Sequence, residues 1–97
     1  MKTLSEIKEV LNREIPDLRK KYFINEIGIF GSYIRGEAFD KSDLDLLVDF
    51  TKTPTLLEFA GLENRLSDKL GLKVDLVMKN SLKPAIGREI LREVVFL

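Results

Sequence analysis

The sequence predicts one two-layer α+β domain, a short mixed sheet with helices packed on one face. Its 97 residues, 44% of them hydrophobic, can bury one modest core. The chain has three short apolar stretches with the pattern of buried strands and three longer stretches in which apolar residues recur at helical spacing, in the order helix, strand, strand, helix, strand, helix. No repeat, linker or low-complexity segment separates them, so residues 1–97 are expected to fold as a single domain.

The first element is predicted to be a helix that begins at a capping box. Thr3 and Glu6 have the spacing of that motif. Apolar residues then recur every three or four positions: Leu4, Ile7, Leu11, Ile15 and Leu18. Pro16 lacks the N–H that would bond to Asn12, so we expect the helix to kink or restart there. The basic cluster at residues 19–21 suits a helix C-terminus.

Two strands are expected next, joined by a polar loop. Residues 26–31 are short, apolar and closed by Gly-Ser, as in a buried strand. Residues 32–41 predict a loop with one helical turn that ends at Gly36. Residues 43–50 alternate strictly, which predicts a strand with two distinct faces. One face carries Leu44, Leu46, Val48 and Phe50, and the other carries Asp43, Asp45, Leu47 and Asp49.

The second half of the chain predicts a helix, a strand and a last helix. Thr53-Pro54 has the form of a helix start, and Gly71 that of a left-handed helix end. The helical face between them comprises Leu56, Phe59, Ala60, Leu66 and Leu70. Residues 72–78 predict the third strand, with Asp75 on its polar face. Asn80 or Ser81 could cap the last helix, which carries Ile86, Ile90 and Leu91; residues 94–97 fit either its end or an edge strand.

Composition excludes several kinds of chemistry. The chain has neither Cys nor His, which rules out a disulfide framework, a thiolate nucleophile and a Ser-His-Asp triad. Sixteen basic and sixteen acidic residues cancel, so bulk charge would not hold nucleic acid or an anionic membrane. No apolar stretch approaches the roughly 20 residues that span a bilayer. We therefore expect a cytoplasmic protein whose chemistry depends on carboxylates, Ser, Lys, Arg, backbone amides and a metal ion.

Three acidic residues are candidate metal ligands. Asp43 and Asp45 leave one face of their strand about 7 Å apart. At an effective dielectric near 20, two full charges at that distance repel by about 2 kcal/mol, which a divalent cation would reverse. Asp75 would lie beside them if the two strands pair. The alternative for each is an exposed acidic side chain in water. Asp49 shares the parity but should lie toward the far edge, so it is left out of the site.

Gly31, Ser32 and Arg35 are candidate phosphate-binding residues. A glycine allows a backbone to approach a ligand, and loop N–H groups with a Ser hydroxyl can hold phosphate oxygens. The alternatives are an ordinary Gly-Ser turn and an Arg at a helix end. The last helix also carries basic residues, which are interpreted as solvated charges rather than phosphate ligands: Lys83, Arg88 and Arg92.

Residues 31–50, GSYIRGEAFDKSDLDLLVDF, resemble the nucleotidyltransferase signature of the DNA polymerase β superfamily. That signature is a Gly-Ser pair, ten residues and an Asp-x-Asp pair, and the ten-residue gap lies here between Ser32 and Asp43. Three further segments are similar to the minimal nucleotidyltransferase (MNT) branch of that superfamily: Arg35-Gly36, the KVDLV segment around Asp75, and the closing ILREVVFL.

The resemblance implies a short mixed sheet with helices against it and the acids on its open face. It implies two Mg²⁺ ions, with Asp43 and Asp45 as ligands and Asp75 completing the second site and accepting the proton of an attacking hydroxyl. Gly31 and Ser32 would bind the β- and γ-phosphates of ATP, with Arg35 as a further phosphate or partner contact. AMP would be transferred and pyrophosphate released.

The resemblance also implies a partner, because larger relatives carry extra domains for the acceptor. The acceptor surface would come from another polypeptide or from a homo-oligomer. In the MNT branch the usual partner is a HEPN-domain ribonuclease toxin, which its antitoxin modifies with AMP on a tyrosine (a type VII toxin–antitoxin system). Two alternatives stay open. One is a binding module that neutralises a toxin by contact, through Phe39 or residues 94–97, and the other is a small-molecule nucleotidyltransferase.

Overall fold

A four-stranded mixed sheet organises the chain in the computed structural model, which describes residues 2–97. In chain order the elements are α1 (Leu4–Tyr22), β1 (Ile24–Phe30), α2 (Ser32–Arg35), β2 (Leu44–Phe50), α3 (Leu56–Leu70), β3 (Val74–Met78), a 3₁₀ turn (Lys79–Ser81), α4 (Pro84–Glu93) and β4 (Val95–Phe96). The sheet order is β3-β2-β1-β4, with β2 and β3 parallel and the other two pairs antiparallel. The α+β fold class predicted from the sequence is confirmed.

The hydrophobic core lies between one face of the sheet and the helices α1 and α3. Ile7, Leu11 and Leu18 of α1 are fully buried, and so are Leu62, Leu66 and Leu70 of α3. The apolar face predicted for β2 is confirmed, because Leu44, Leu46 and Val48 all belong to this core. The alternating residues of the three longer strands face the opposite side of the sheet, which is where the candidate site lies.

Helix α1 begins where the sequence predicts but does not restart at Pro16. The Glu6 N–H donates to Thr3 Oγ1 (3.1 Å) and the Thr3 N–H to Glu6 Oε1 (3.0 Å), which completes the capping box. The helix runs through Pro16, which is exposed, while Leu11 and Leu18 on either side are fully buried. Burial of both turns against the sheet outweighs the one backbone bond that proline removes.

The predicted start of α3 at Thr53-Pro54 is wrong by two residues. The N-cap is Thr55, whose Oγ1 accepts from the Glu58 N–H (3.1 Å), while the Thr55 N–H donates to Glu58 Oε1 (2.8 Å). The predicted Phe59 is partly buried and packs against the core, and full burial begins at Leu62. Leu56 is 86% exposed, and Ala60 is exposed as well. Gly71 ends the helix at φ +67°, as predicted.

The last helix differs most from its prediction. Neither Asn80 nor Ser81 caps it, since both lie in the 3₁₀ turn and α4 begins at Pro84. No residue of α4 belongs to the core between the sheet and the other helices, and Ile86 is 56% exposed. The chain then forms β4, which pairs with Gly28 and Ile29 of β1 and is an edge strand of the sheet. Of the two predictions left open for residues 94–97, the edge strand is therefore the correct one. None of the helices within residues 2–97 is long and apolar enough to cross a membrane.

The corrected position of the α3 cap gives a stability test. Replacing Thr55 with Ala removes the side-chain acceptor of a helix N-terminal N–H, and we expect it to lower the free energy of unfolding by about 1 kcal/mol. Thr53→Ala is the matched control, because the same atoms are deleted two residues before the cap. Urea unfolding followed by circular dichroism measures both; an equal loss in the two variants would contradict the assignment of the cap.

Candidate active site

Two of the predicted carboxylates lie side by side on neighbouring strands. Asp45 of β2 and Asp75 of β3 are direct partners in the parallel register. Their neighbours Leu44, Leu46 and Leu76 point into the core, so both aspartates point to the opposite face. Strands lie about 4.8 Å apart in this direction, which brings the two carboxylates onto a common patch. The pairing that the sequence left conditional is therefore present.

Asp43 precedes β2 by one residue and lies at the margin of this patch. Its Oδ2 is 3.8 Å from Lys73 Nζ, and the Lys73 side chain is largely exposed. Such an exposed pair contributes little to stability. Asp49 lies at the other end of β2, where its Oδ2 accepts from Asn25 Nδ2 (2.9 Å). Asp49 is therefore hydrogen-bonded to Asn25 at the far end of the strand, which agrees with leaving it out of the predicted site.

The electrostatics of the patch converge on Asp45. Partial burial raises the pKa of the Asp45 carboxyl, the negative charges of Asp75 and Asp43 raise it further, and Arg35 acts in the opposite direction. Each of these effects except the last disfavours the ionised form. An approaching cation would remove the repulsion between the three acids.

The donor set suits a hard divalent cation. Mg²⁺ prefers carboxylate oxygens and usually takes one or two of them together with water and substrate phosphates. Within residues 2–97 no three acidic side chains are gathered closely enough to hold an ion by themselves. Asp45 and Asp75 could therefore supply only part of the coordination shell of an ion, and the phosphates of a bound nucleotide would complete it.

The Gly31 turn lies directly against Asp45. Phe30, the last residue of β1, is the partner of Asp45 in the antiparallel register, so the chain turns at Gly31 beside this carboxylate. Gly31 has φ +81° and ψ −154°, a conformation that is nearly exclusive to glycine. A Cβ placed on Gly31 would collide with Asp45 Oδ2. Two independent constraints, backbone conformation and contact with the acid, therefore require glycine here.

The short helix α2 positions Ser32 and Arg35 after this turn. The N–H groups of Ile34 and Arg35 donate to the Gly31 carbonyl (3.0 and 3.1 Å), and Gly36 ends the helix at φ +73°, so the predicted single turn is confirmed. Ser32, the first residue of α2, is partly exposed beside Gly31. The structure thus places Gly31 against Asp45, with Ser32 as the next residue of the turn.

Arg35 is held by a residue that sequence reasoning missed. Its Nη1 donates to Glu93 Oε1 (2.8 Å), and its Nε donates to Glu37 Oε1 (2.8 Å). The other oxygen of Glu93 accepts from the Gly31 N–H (2.6 Å). Burial alone would raise the pKa of Glu93, but the hydrogen bonds from Arg35 and Gly31 outweigh it and lower that pKa. The hydrogen bonds that Arg35 donates to Glu93 and Glu37 raise the pKa of Arg35.

The basic residues in and just before α4 are exposed, as the sequence predicts. Arg92 Nη1 is 3.6 Å from Glu89 Oε1 on the same helix, and both side chains are largely exposed. Lys83 and Arg88 are exposed as well.

A groove of about 460 Å³ adjoins β3, between the start of α3 and the strand. Its lining is mainly apolar and includes Val77, two residues beyond Asp75.

A glycine-serine turn set against paired strand aspartates defines an enzyme that transfers a nucleotidyl group. Comparison with known proteins agrees: the nucleotidyltransferase domain family matches residues 4–97, and this chain belongs to that family. Protein adenylyltransferase MntA of Thermococcus cleftensis is 53% identical over 97 residues, which cover 100% of this chain and 98% of that protein.

Two solved toxin–antitoxin complexes have a similar fold. One, determined with AMP-PNP, superimposes with a TM-score of 0.75 at 27% identity over 88% of this chain and 69% of that one. The other is an MNT antitoxin with a tri-AMPylated HEPN toxin from Shewanella oneidensis. It has a TM-score of 0.69 at 23% identity, covers 93% of this chain and 70% of that one, and supports the fold alone.

The Gly31 turn can be tested against a second glycine of positive φ. Gly31→Ala should be severely destabilising, because it adds both backbone strain and a collision with Asp45. Gly36→Ala is the control, since its φ is also positive but nothing lies within 4 Å of the added Cβ. Strain alone should lower the free energy of unfolding by about 1–2 kcal/mol. Equal losses in urea unfolding would show that the contact with Asp45 is unimportant.

Charge repulsion at the patch gives a prediction for the protein without metal. Asp45→Asn removes a carboxylate whose ionised form is disfavoured by burial and by two neighbouring acids, so we expect the melting temperature in EDTA to rise by a few degrees. Asp49→Asn alters a carboxylate of the same strand that has a hydrogen-bond partner and should not raise it. A lower melting temperature for Asp45→Asn would mean that the acids do not repel one another.

Proposed function

We propose that this chain is a Mg²⁺-dependent protein adenylyltransferase that moves AMP from ATP to a tyrosine of a HEPN-domain ribonuclease toxin and so acts as its antitoxin. The observation that carries the proposal is the register of Asp45 with Asp75 beside the Gly31 turn. The relative from Thermococcus cleftensis, 53% identical over the whole chain, is named a protein adenylyltransferase, which supports transfer of an adenylyl group to a protein acceptor.

The nucleotide and a toxin partner are supported by the complex with AMP-PNP, which is a toxin–antitoxin pair 27% identical to this chain. A HEPN-domain toxin is the partner that the MNT resemblance implies. A tyrosine hydroxyl is the acceptor that the MNT resemblance implies. In this chain Phe39 is 64% exposed close to the turn of α2, and Phe96 is partly exposed on β4, so apolar surface is present for a protein partner.

Each residue of the site has a role in this proposal. Asp43, Asp45 and Asp75 would hold two Mg²⁺ ions, which would neutralise charge on the phosphate oxygens. Asp75 is exposed and would accept the proton of the incoming hydroxyl. Ser32 and Arg35 would bind the β- and γ-phosphates and align the α-phosphorus. Gly31, whose own N–H is bonded to Glu93, would let the backbone approach these phosphates closely.

The reaction replaces the phosphoanhydride bond between the α- and β-phosphates of ATP with a phosphodiester bond to the acceptor. The acceptor oxygen forms a bond to the α-phosphorus, the bond from that phosphorus to the bridging oxygen breaks, and pyrophosphate leaves with the electron pair. The site has no imidazole base, and alignment with charge neutralisation does not require one.

The test is transfer of label from α-labelled ATP, with Mg²⁺, to a purified HEPN-domain toxin. Asp45→Asn and Asp75→Asn should each lower the labelling rate about a hundredfold or more, because a metal-binding carboxylate is lost. Asp49→Asn, on the same strand but bonded to Asn25, should label at the wild-type rate. Product analysis by mass spectrometry should find AMP on a tyrosine.

Two outcomes would replace this function with an alternative. If Asp43, Asp45 and Asp75 are all changed to Ala and the protein still suppresses toxicity at equal expression, it acts by covering the toxin rather than by modifying it. If the partner remains unlabelled while a small molecule acquires AMP, the acceptor is not a protein. Normal labelling by Asp45→Asn would refute the metal assignment.

A further inference from the structure

We infer that Glu93 is a positioning residue for nucleotide binding, which holds Arg35 and the Gly31 turn in the orientation that receives the phosphates. The inference rests on the proposed function, because it concerns the groups proposed to bind ATP. Glu93 is the last residue of α4 and follows Gly31 by 62 residues, yet one carboxylate bonds both. Its oxygens accept from the Gly31 N–H and from Arg35 Nη1 at 2.6 and 2.8 Å.

Glu93 is the more buried of the two carboxylates on Arg35. Its side chain is 21% exposed, whereas that of Glu37 is 61% exposed. The Arg35 side chain is 49% exposed, but the Glu93 carboxylate is also fixed by the partly buried hydrogen bond from the Gly31 N–H. A carboxylate held at both oxygens orients the guanidinium more than the exposed Glu37 does.

Arg35 keeps donors for a ligand while Glu93 is bound. A guanidinium has five N–H donors, and the bonds to Glu93 and Glu37 use one on Nη1 and one on Nε. Among residues 2–97 the other three, two of them on Nη2, have no carboxylate partner. A phosphate can thus bind Arg35 without displacing Glu93, which is why we assign a positioning role rather than competition with the nucleotide.

The C-terminal strand holds Glu93 in place. The Leu97 N–H donates to the Ile27 carbonyl (3.0 Å), and Phe96 and Val95 pair with Gly28 and Ile29. Val94 is packed so closely against Gly28 that a Cβ there would lie 2.6 Å from Val94 Cγ2. Val94, which follows Glu93, is therefore fixed on the same face of the sheet as Asp45. The pairing of β4 with β1, rather than packing in the core, thus places the Glu93 carboxylate at the turn.

The experiment measures nucleotide affinity and a double-mutant cycle in the purified chain. Glu93→Gln keeps an acceptor for Gly31 but loses the charge that orients Arg35. We expect the KM for ATP in partner labelling, and the Kd for ATP with Mg²⁺, to rise about tenfold, with kcat within about twofold of wild type. Glu89→Gln removes the same charge from an exposed position one turn earlier on α4 and should change neither constant.

The cycle separates positioning from a general structural effect. Arg35→Ala should raise the KM by a similar factor, and adding Glu93→Gln to it should raise the KM no further, because Glu93 acts through Arg35. Independent, multiplying effects would overturn the inference, and so would an unchanged or lower KM in Glu93→Gln. A lower KM would instead mean that Glu93 competes with the phosphates.

A second variant covers the case in which Glu93→Gln fails to fold. Arg35→Lys keeps the positive charge but has one nitrogen in place of the planar group that bonds Glu37 and Glu93 through different nitrogens. The KM should therefore rise in the same way, and an unchanged KM would overturn the inference. Failure of the proposed function has a different signature. Wild-type protein that neither binds nucleotide nor labels the partner would refute both, whereas active wild type with a wild-type KM in Glu93→Gln refutes only the role of Glu93.

Discussion

The parallel pairing of β2 with β3 is the constraint on which the site depends. It places Asp45 next to Asp75, an arrangement that costs electrostatic energy in the absence of a cation. The register cannot slip by one residue to relieve this cost, because Leu44, Leu46 and Leu76 would then leave the core and the aspartates would enter it. The hydrophobic core therefore holds the acids together, and their repulsion is stored at the site rather than avoided.

The antiparallel pairing of β1 with β2 adds the second half of the site. Phe30 lies opposite Asp45, so the turn that follows β1 passes the carboxylate at once, and only glycine fits there. Glu93 reaches the same turn from the other end of the chain, through the pairing of β4 with β1. Residues on or next to all four strands thus meet at one end of the sheet, and the pairing of the strands positions each of them.

Local patterns in the sequence predict the parts of this arrangement that depend on near neighbours. Strict alternation around Asp45, the capping box at Thr3 and the glycine helix ends follow from spacing alone, and the signature between Gly31 and Asp45 is contiguous. The cap at Thr55 also has a local pattern, because Thr55 and Glu58 have the spacing of a capping box. Thr53-Pro54 has the form of a helix start as well, and the prediction followed that pattern instead. Glu93 had no such signal: its partners are 58 and 62 residues away, and only the formation of β4 brings them together.

The charges around the turn determine what the site can accept. Five carboxylates and two basic groups lie at the patch and the Gly31 turn, so their net charge is negative: Asp43, Asp45, Asp75, Glu93 and Glu37, with Arg35 and Lys73. A triphosphate is itself strongly anionic, and Arg35 is largely neutralised by its two carboxylate partners. The patch would therefore repel free ATP. Under the proposed function, nucleotide and divalent cations enter together, and the function of Arg35 is to orient the phosphates, since its charge alone is insufficient to attract them.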